Sequence, residues 1–201
     1  MHALATPGAT TTSASPPRRW FGRAVRHIAI VAAVTSTLAL TAVNRPAVAL
    51  AGVDVAPGVS VNPAPGWTVA DQGPGWVRLV NAFASAEMEI KVKPSRGTDP
   101  VAVLQGDINN LSNVSTTGLT NVRDLGAPGS SPTQGGVFTQ QASVTYTADG
   151  TSRMGPTPVV GSFSELLNPS THQSAFIVFA QNQDAPPGAD SDGQAMIDSL
   201  V

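Results

Sequence analysis

Beyond residue 51 the chain carries one histidine, His172, flanked two residues to either side by Ser170 and Ser174. A hydroxyl with a base within hydrogen-bond reach is the minimum apparatus of nucleophilic catalysis. The rest of that apparatus is missing from the sequence. No Gly-x-Ser-x-Gly elbow occurs, neither lysine of the chain (Lys91, Lys93) stands three residues after a serine, and no Gly-Lys pair marks a phosphate-cradling loop. Glu87 and Glu89 are the next candidates. On an extended strand they project the same way about 7 Å apart, twice the strand rise, a separation an inverting glycosidase tolerates. Lys91 and Lys93 continue that row, so the residues read as a solvated, charge-balanced face.

Metal chemistry has one candidate stretch. Asp190, Asp192 and Gly193 fit the third, fifth and sixth positions of a calcium loop, but Gly188 and Ser199 then occupy the first and last, where carboxylates are needed. With Asp184 nearby, these acids read as helix-capping residues, and neither a metal nor a cofactor is expected. The absence of cysteine removes disulfides, thiol nucleophiles, thiolate metal sites and a lipid-modified N-terminal cysteine. Trp67 and Trp76 each follow a Pro-Gly pair, nine residues apart. They are the two candidate binding residues, aromatic contacts for a partner, a sugar or a lipid, with hairpin packing as the competing reading.

The elements that would position these residues are legible from periodicity. Met88, Ile90 and Val92 alternate strictly with the charges of 87–93, marking a half-buried strand. Shorter strands are expected at Val59–Val61, Trp67–Val69 and Trp76–Val80, with turns at Pro65-Gly66 and Gly73-Pro74-Gly75. Thr98-Asp99-Pro100 starts a helix with a capping hydroxyl, and Val101, Leu104, Ile108 and Leu111 give it one apolar stripe to about residue 112. A loop plus a strand follows over 114–125, and 126–136 is Gly/Pro/Ser loop. A long strand from Val137 ends at an Asp149-Gly150 hairpin turn, and the return strand is interrupted around Gly155–Pro158. Strands follow at Ser162–Leu167 and Ser174–Ala180, the second apolar enough to be central and covered on both faces. Asp190-Ser191-Asp192 caps a terminal helix carrying Met196, Ile197 and Leu200. The order predicts an α+β domain over 52–201, an antiparallel sheet with flanking helices.

Charge divides the chain. Residues 1–51 hold five arginines and no acid, leaving 6 bases against 13 acids beyond them, a net charge of −7. An acidic body disfavours nucleic acid as a partner. The first segment reads as an export device: a disordered Ser/Thr/Pro-rich leader, a basic stretch, then a predominantly apolar run of 16 residues from Ile28 to Val43. As a helix that run is about 24 Å long, short for a hydrocarbon core of roughly 30 Å. Small residues at Ala47-Val48-Ala49 and Ala49-Leu50-Ala51 allow signal cleavage after Ala49 or Ala51, and an uncleaved anchor over 28–43 is the alternative. Arg18-Arg19-Trp20-Phe21 is similar to a twin-arginine export motif, although Pro17 and Gly22 depart from it.

Pro65-Gly66-Trp67 after a short strand, alternating strands, an Asp99-Pro100 helix start, long strands and a terminal helix together resemble the LpqN-type secreted and lipoprotein family of actinobacteria. The likeness spans about residues 57–200. It implies an α-β-α sandwich of the PsbP/Mog1 kind, a place in the cell envelope, and binding of a protein or small ligand. The lipobox cysteine of the lipoprotein members is absent here, so the resemblance is to secreted, non-lipidated relatives, and it carries over no catalytic residue. The expected function is therefore that of an exported, non-enzymatic envelope protein binding a protein partner or an apolar small molecule, touching membrane only through its N-terminal segment. A secreted hydrolase built on His172 and a single-pass membrane protein with an extracytoplasmic scaffold domain remain the alternatives.

Overall fold

The computed structural model describes residues 52–133, 136–152 and 155–200. Arg18, Arg19, the run 28–43 and the cleavage positions Ala49 and Ala51 lie outside the described residues. Among the described residues, no helix is long and apolar enough to cross a membrane.

Strands β1 (Val53–Ala56) and β2 (Val59–Val61) pair as a small antiparallel ribbon. The main sheet contains β3 (Trp67–Gly73), β4 (Trp76–Asn81), β5 (Ala86–Pro94), β6 (Thr120–Arg123), β7 (Gly129–Pro132), β8 (Gln140–Ser152), β9 (Gly155–Asn168) and β10 (Gln173–Asn182). Every pairing is antiparallel, in the order β3-β4-β5-β10-β9-β8-β6, with β7 beside the opposite end of β8. The period of two along each strand sends side chains to two separate cores. On one face Val77, Leu79, Met88, Ile90, Ile177 and Phe179 pack beneath the β1–β2 ribbon and helix α3 (Ala189–Asp198), whose Met196 and Ile197 point inward. On the other, Val144, Tyr146, Phe163, Phe176 and Val178 pack beneath α1 (Pro100–Asn109) through Leu104 and Ile108, and beneath α2 (Leu111–Val114). The expected α+β architecture, an antiparallel sheet with helices on both faces, is the one the chain adopts. β10 is central, as its continuous apolar run requires: Ala175 and Ile177 serve one core, Phe176 and Val178 the other.

Close packing is sharpest at Gly161. A Cβ there would collide with the Phe179 carbonyl and crowd the Tyr146 hydroxyl. The missing side chain lets Tyr146 cross β9 and donate to Phe179 O at 3.0 Å while its ring stacks on Phe163. Burial, with the Glu87 charge adding to it, drives that phenol far above its ordinary range.

Several local expectations are corrected. The cap of α1 is the Asp99 carboxylate, which accepts from Val101 N at 3.0 Å, rather than the Thr98 hydroxyl. The helix ends at Asn109 and, across Asn110, restarts as α2, so the apolar stripe is split between two pieces. Asp149-Gly150 is not a turn: Asp149 pairs with Pro158 and Gly150 with Thr157 in a ladder that continues to Ser152–Gly155. Pro156 and Pro158 therefore sit inside a strand, where long-range register overrode a local turn signal. Helix α3 begins at Ala189 behind Gly188, whose φ of 97° suits glycine, and the acids of 190 and 192 fall inside its first turn instead of capping it.

Candidate functional site

The charged row of β5 is not a solvated face. Glu87, Glu89, Lys91 and Lys93 point toward the layer that holds α1 and α2, and Glu89 is 2% exposed. Its carboxylate accepts the Thr116 backbone N–H at 2.9 and 3.1 Å and the Thr116 hydroxyl at 2.6 Å. Glu87 is raised above the usual carboxylate range, chiefly by burial, with Arg78 opposing and Glu89 reinforcing the shift. Alternation showed which residues share a face but not that the segment after α2 covers it.

At the far end of that row four segments converge. Lys93 Nζ lies 2.7 Å from Asp107 Oδ2 on α1, 3.5 Å from Glu165 Oε1 on β9 and 3.2 Å from Ser174 Oγ on β10. Glu165 is fully buried, and its Oε2 has no hydrogen-bond donor among the described residues. The 2.7 Å contact of Asp107 with Lys93 is an ion pair without an aligned hydrogen bond. Burial pushes Glu165 up to about 8; Lys93 opposes the shift, while Asp107 reinforces it by charge and as a hydrogen-bond partner. Burial thus favours the protonated carboxyl at Glu165, the form that carries a donor of its own. The sequence carried one faint signal of this cluster, a lone acid in the apolar run Phe163–Leu167.

Among the described residues, clefts lie on both faces of the sheet. The first, about 550 Å³, runs between α1 and the chain after β5, lined by Lys93, Arg96, Val103, Asp107, Asn110 and Val114 among others. The second, about 590 Å³, lies where α3 stops short of β8 and β9. Val160, Phe179 and Ile197 form its apolar strip, Thr145, Ser162 and Gln194 stand around it, and Asp124 and Asp190 also line it. Val160 is 47% exposed there.

The residues singled out from sequence are dispersed. Trp67 is 3% exposed, its indole N–H donating to Asp192 Oδ2 at 3.2 Å and its ring tilted against Phe179. Trp76 is half-buried at the other end of the β3–β4 ladder, and Trp67 pairs with Asn81 where Trp76 pairs with Gly73. Their side chains take opposite faces of the sheet, so the two rings do not form one surface. His172 is exposed in the β9–β10 turn at a φ of 52°. Its carbonyl accepts from Ser95 N, and no hydrogen bond to its imidazole is made among the described residues. Ser170 is exposed in the same turn, whereas Ser174 is buried against Lys93, so no Ser–His pair is assembled. Among the described residues no group of three or more His, Asp or Glu side chains is arranged to hold a metal ion.

Fold and clefts together define an α-β-α sandwich around an antiparallel sheet, with Glu89 and Glu165 buried beneath one helix layer. No protein family matches the chain, and no curated protein matches it. Among solved structures it is similar to the Ran-binding protein Mog1p of Saccharomyces cerevisiae, with 9% identity, 71% of this chain and 87% of that one covered, and a TM-score of 0.48. It is also similar to the cyanobacterial PsbP (CyanoP) of Synechocystis, with 12% identity, 71% and 85% covered, and a TM-score of 0.45.

Proposed function

We propose that this is an exported cell-envelope domain, of the LpqN type without the lipobox cysteine, that binds an apolar small molecule and performs no covalent chemistry. The cleft between α3 and β8–β10 carries the reading: a preformed concavity with an apolar strip and a few convergent polar groups is the usual form of a small-molecule site. The arginine-rich, acid-free residues 1–51 support export, and the acidic body supports a partner other than nucleic acid.

Native mass spectrometry of protein purified from its own host is the deciding experiment. We expect a bound apolar adduct, and Val160→Asp should abolish it by placing a charge on the strip. A spectrum containing only the bare polypeptide sinks the small-ligand reading. Sequencing the N-terminus of the same material tests export. A start near Leu50 or Gly52 supports cleavage, an intact Met1 in the membrane fraction supports an anchor, and an intact chain soluble in the cytosol overturns both.

A further inference from the structure

We propose a second binding site in the cleft beneath α1, specific for a small amphipathic carboxylate: a medium-length acyl chain headed by one negative charge, paired with Arg96 beside Lys93. This site is on the opposite sheet face from the cleft of the preceding reading and stands independently of it. The body beyond residue 51 has 6 bases among 13 acids, yet two of those bases line this one cleft. Lys93 is already balanced by Asp107 at 2.7 Å. Arg96 is exposed and, among the described residues, lies within ion-pair distance of no carboxylate. The surplus is therefore one positive charge, which suits a monovalent head over a dianionic phosphate. A guanidinium fork also matches a carboxylate in a bidentate fashion.

The rest of the ligand follows from the wall. Ala102, Val103 and Val114 supply apolar surface along α1 and α2, and about 550 Å³ is ample for a chain of medium length. The groups that face this charge balance are Lys93 on β5, with Lys91 further along its row, Asp107 on α1, Glu165 on β9 and the Ser174 hydroxyl on β10. With Glu165 protonated the cleft keeps its positive surplus. Ionising Glu165 near pH 8 adds a buried negative charge and cancels it, so anion binding weakens as pH rises.

Calorimetry on the full chain tests this with octanoate, octylammonium and octyl phosphate. We expect saturable octanoate binding, none of octylammonium, and weaker binding of octyl phosphate. Arg96→Gln should weaken octanoate about tenfold or more, the loss of one charge-assisted contact; circular dichroism should be unchanged because Arg96 is at the surface. Glu165→Gln should keep octanoate binding at neutral pH and remove its decline between about pH 7 and 9. Absence of octanoate binding, equal binding of octylammonium or octyl phosphate, or an unaffected Arg96→Gln variant each overturns the proposal. A Glu165→Gln variant with the same pH decline as the parent overturns the coupling to that proton.

Discussion

Asp107 and Glu165 reach a single ammonium from different layers of the sandwich, Asp107 from α1 and Glu165 from β9, with Lys93 Nζ 2.7 and 3.5 Å from their respective oxygens. Two carboxyls and one cation leave an unbalanced negative charge in a buried place, and the proton on Glu165 removes it. This arrangement ties α1 to the sheet by charge as well as by Leu104 and Ile108, and it makes the tie depend on pH.

The pH dependence has a definite sign. Glu165 is raised from 4.5 to about 8 in the folded chain, chiefly by burial. Between those values the folded state holds a proton that the unfolded state has released. Its contribution is therefore full below about 4.5 and is lost as pH climbs to about 8. Urea unfolding over that range should show falling midpoints for the parent and a flatter profile for Glu165→Gln. Parallel profiles would remove Glu165 as the origin.

Lys93→Met leaves Asp107 without its cation in a mostly buried position. Breaking one side of such a pair costs about 3 kcal/mol, to be measured by denaturant unfolding at neutral pH. Adding Asp107→Leu to that variant should recover most of the loss, since an apolar pair of similar volume replaces the ions. A double variant no better than the single one contradicts the pairing.

Gly161→Ala drives a methyl group into the Phe179 carbonyl of the neighbouring strand. The backbone must shift and the Tyr146 bond must open, a loss of about 3 kcal/mol. Gly129→Ala is the control, because nothing lies within 4 Å of its added carbon and its φ is not positive. Thermal melts of the two variants should differ by several degrees; equal melts would deny the close approach.

Trp67→Phe keeps a ring against Phe179 but deletes the donor to Asp192. The expected loss is about 1 kcal/mol, typical of one hydrogen bond. Combined with Asp192→Ala in a double-mutant cycle, the two losses should fall short of adding. Full additivity would mean that the indole and the carboxylate do not communicate.

Much of the scaffold was legible because it depends on neighbouring residues. Met88, Ile90 and Val92 announced β5 by alternation alone, and the unbroken apolar run of 175–180 announced a strand covered twice. What escaped depends on distant partners. The Glu87–Lys93 row looked solvated because no local pattern shows that Thr116 folds over it. The cluster of Lys93, Asp107, Glu165 and Ser174 joins residues up to 81 positions apart, which only the sheet order brings together. Trp67 and Trp76, close in sequence and alike in context, were separated by parity along the strand: one ring faces α3, the other the opposite layer.

The position of β10 makes it the seam of the sheet. β3–β5 form one antiparallel ribbon and β6–β9 another, and β10 alone pairs with both, through β5 and β9. Without β10, β5 and β9 would each present an open edge. The half of that seam against β5 joins residues far apart in sequence, a topology that slows folding. Losing that single strand would leave two ribbons with no common core.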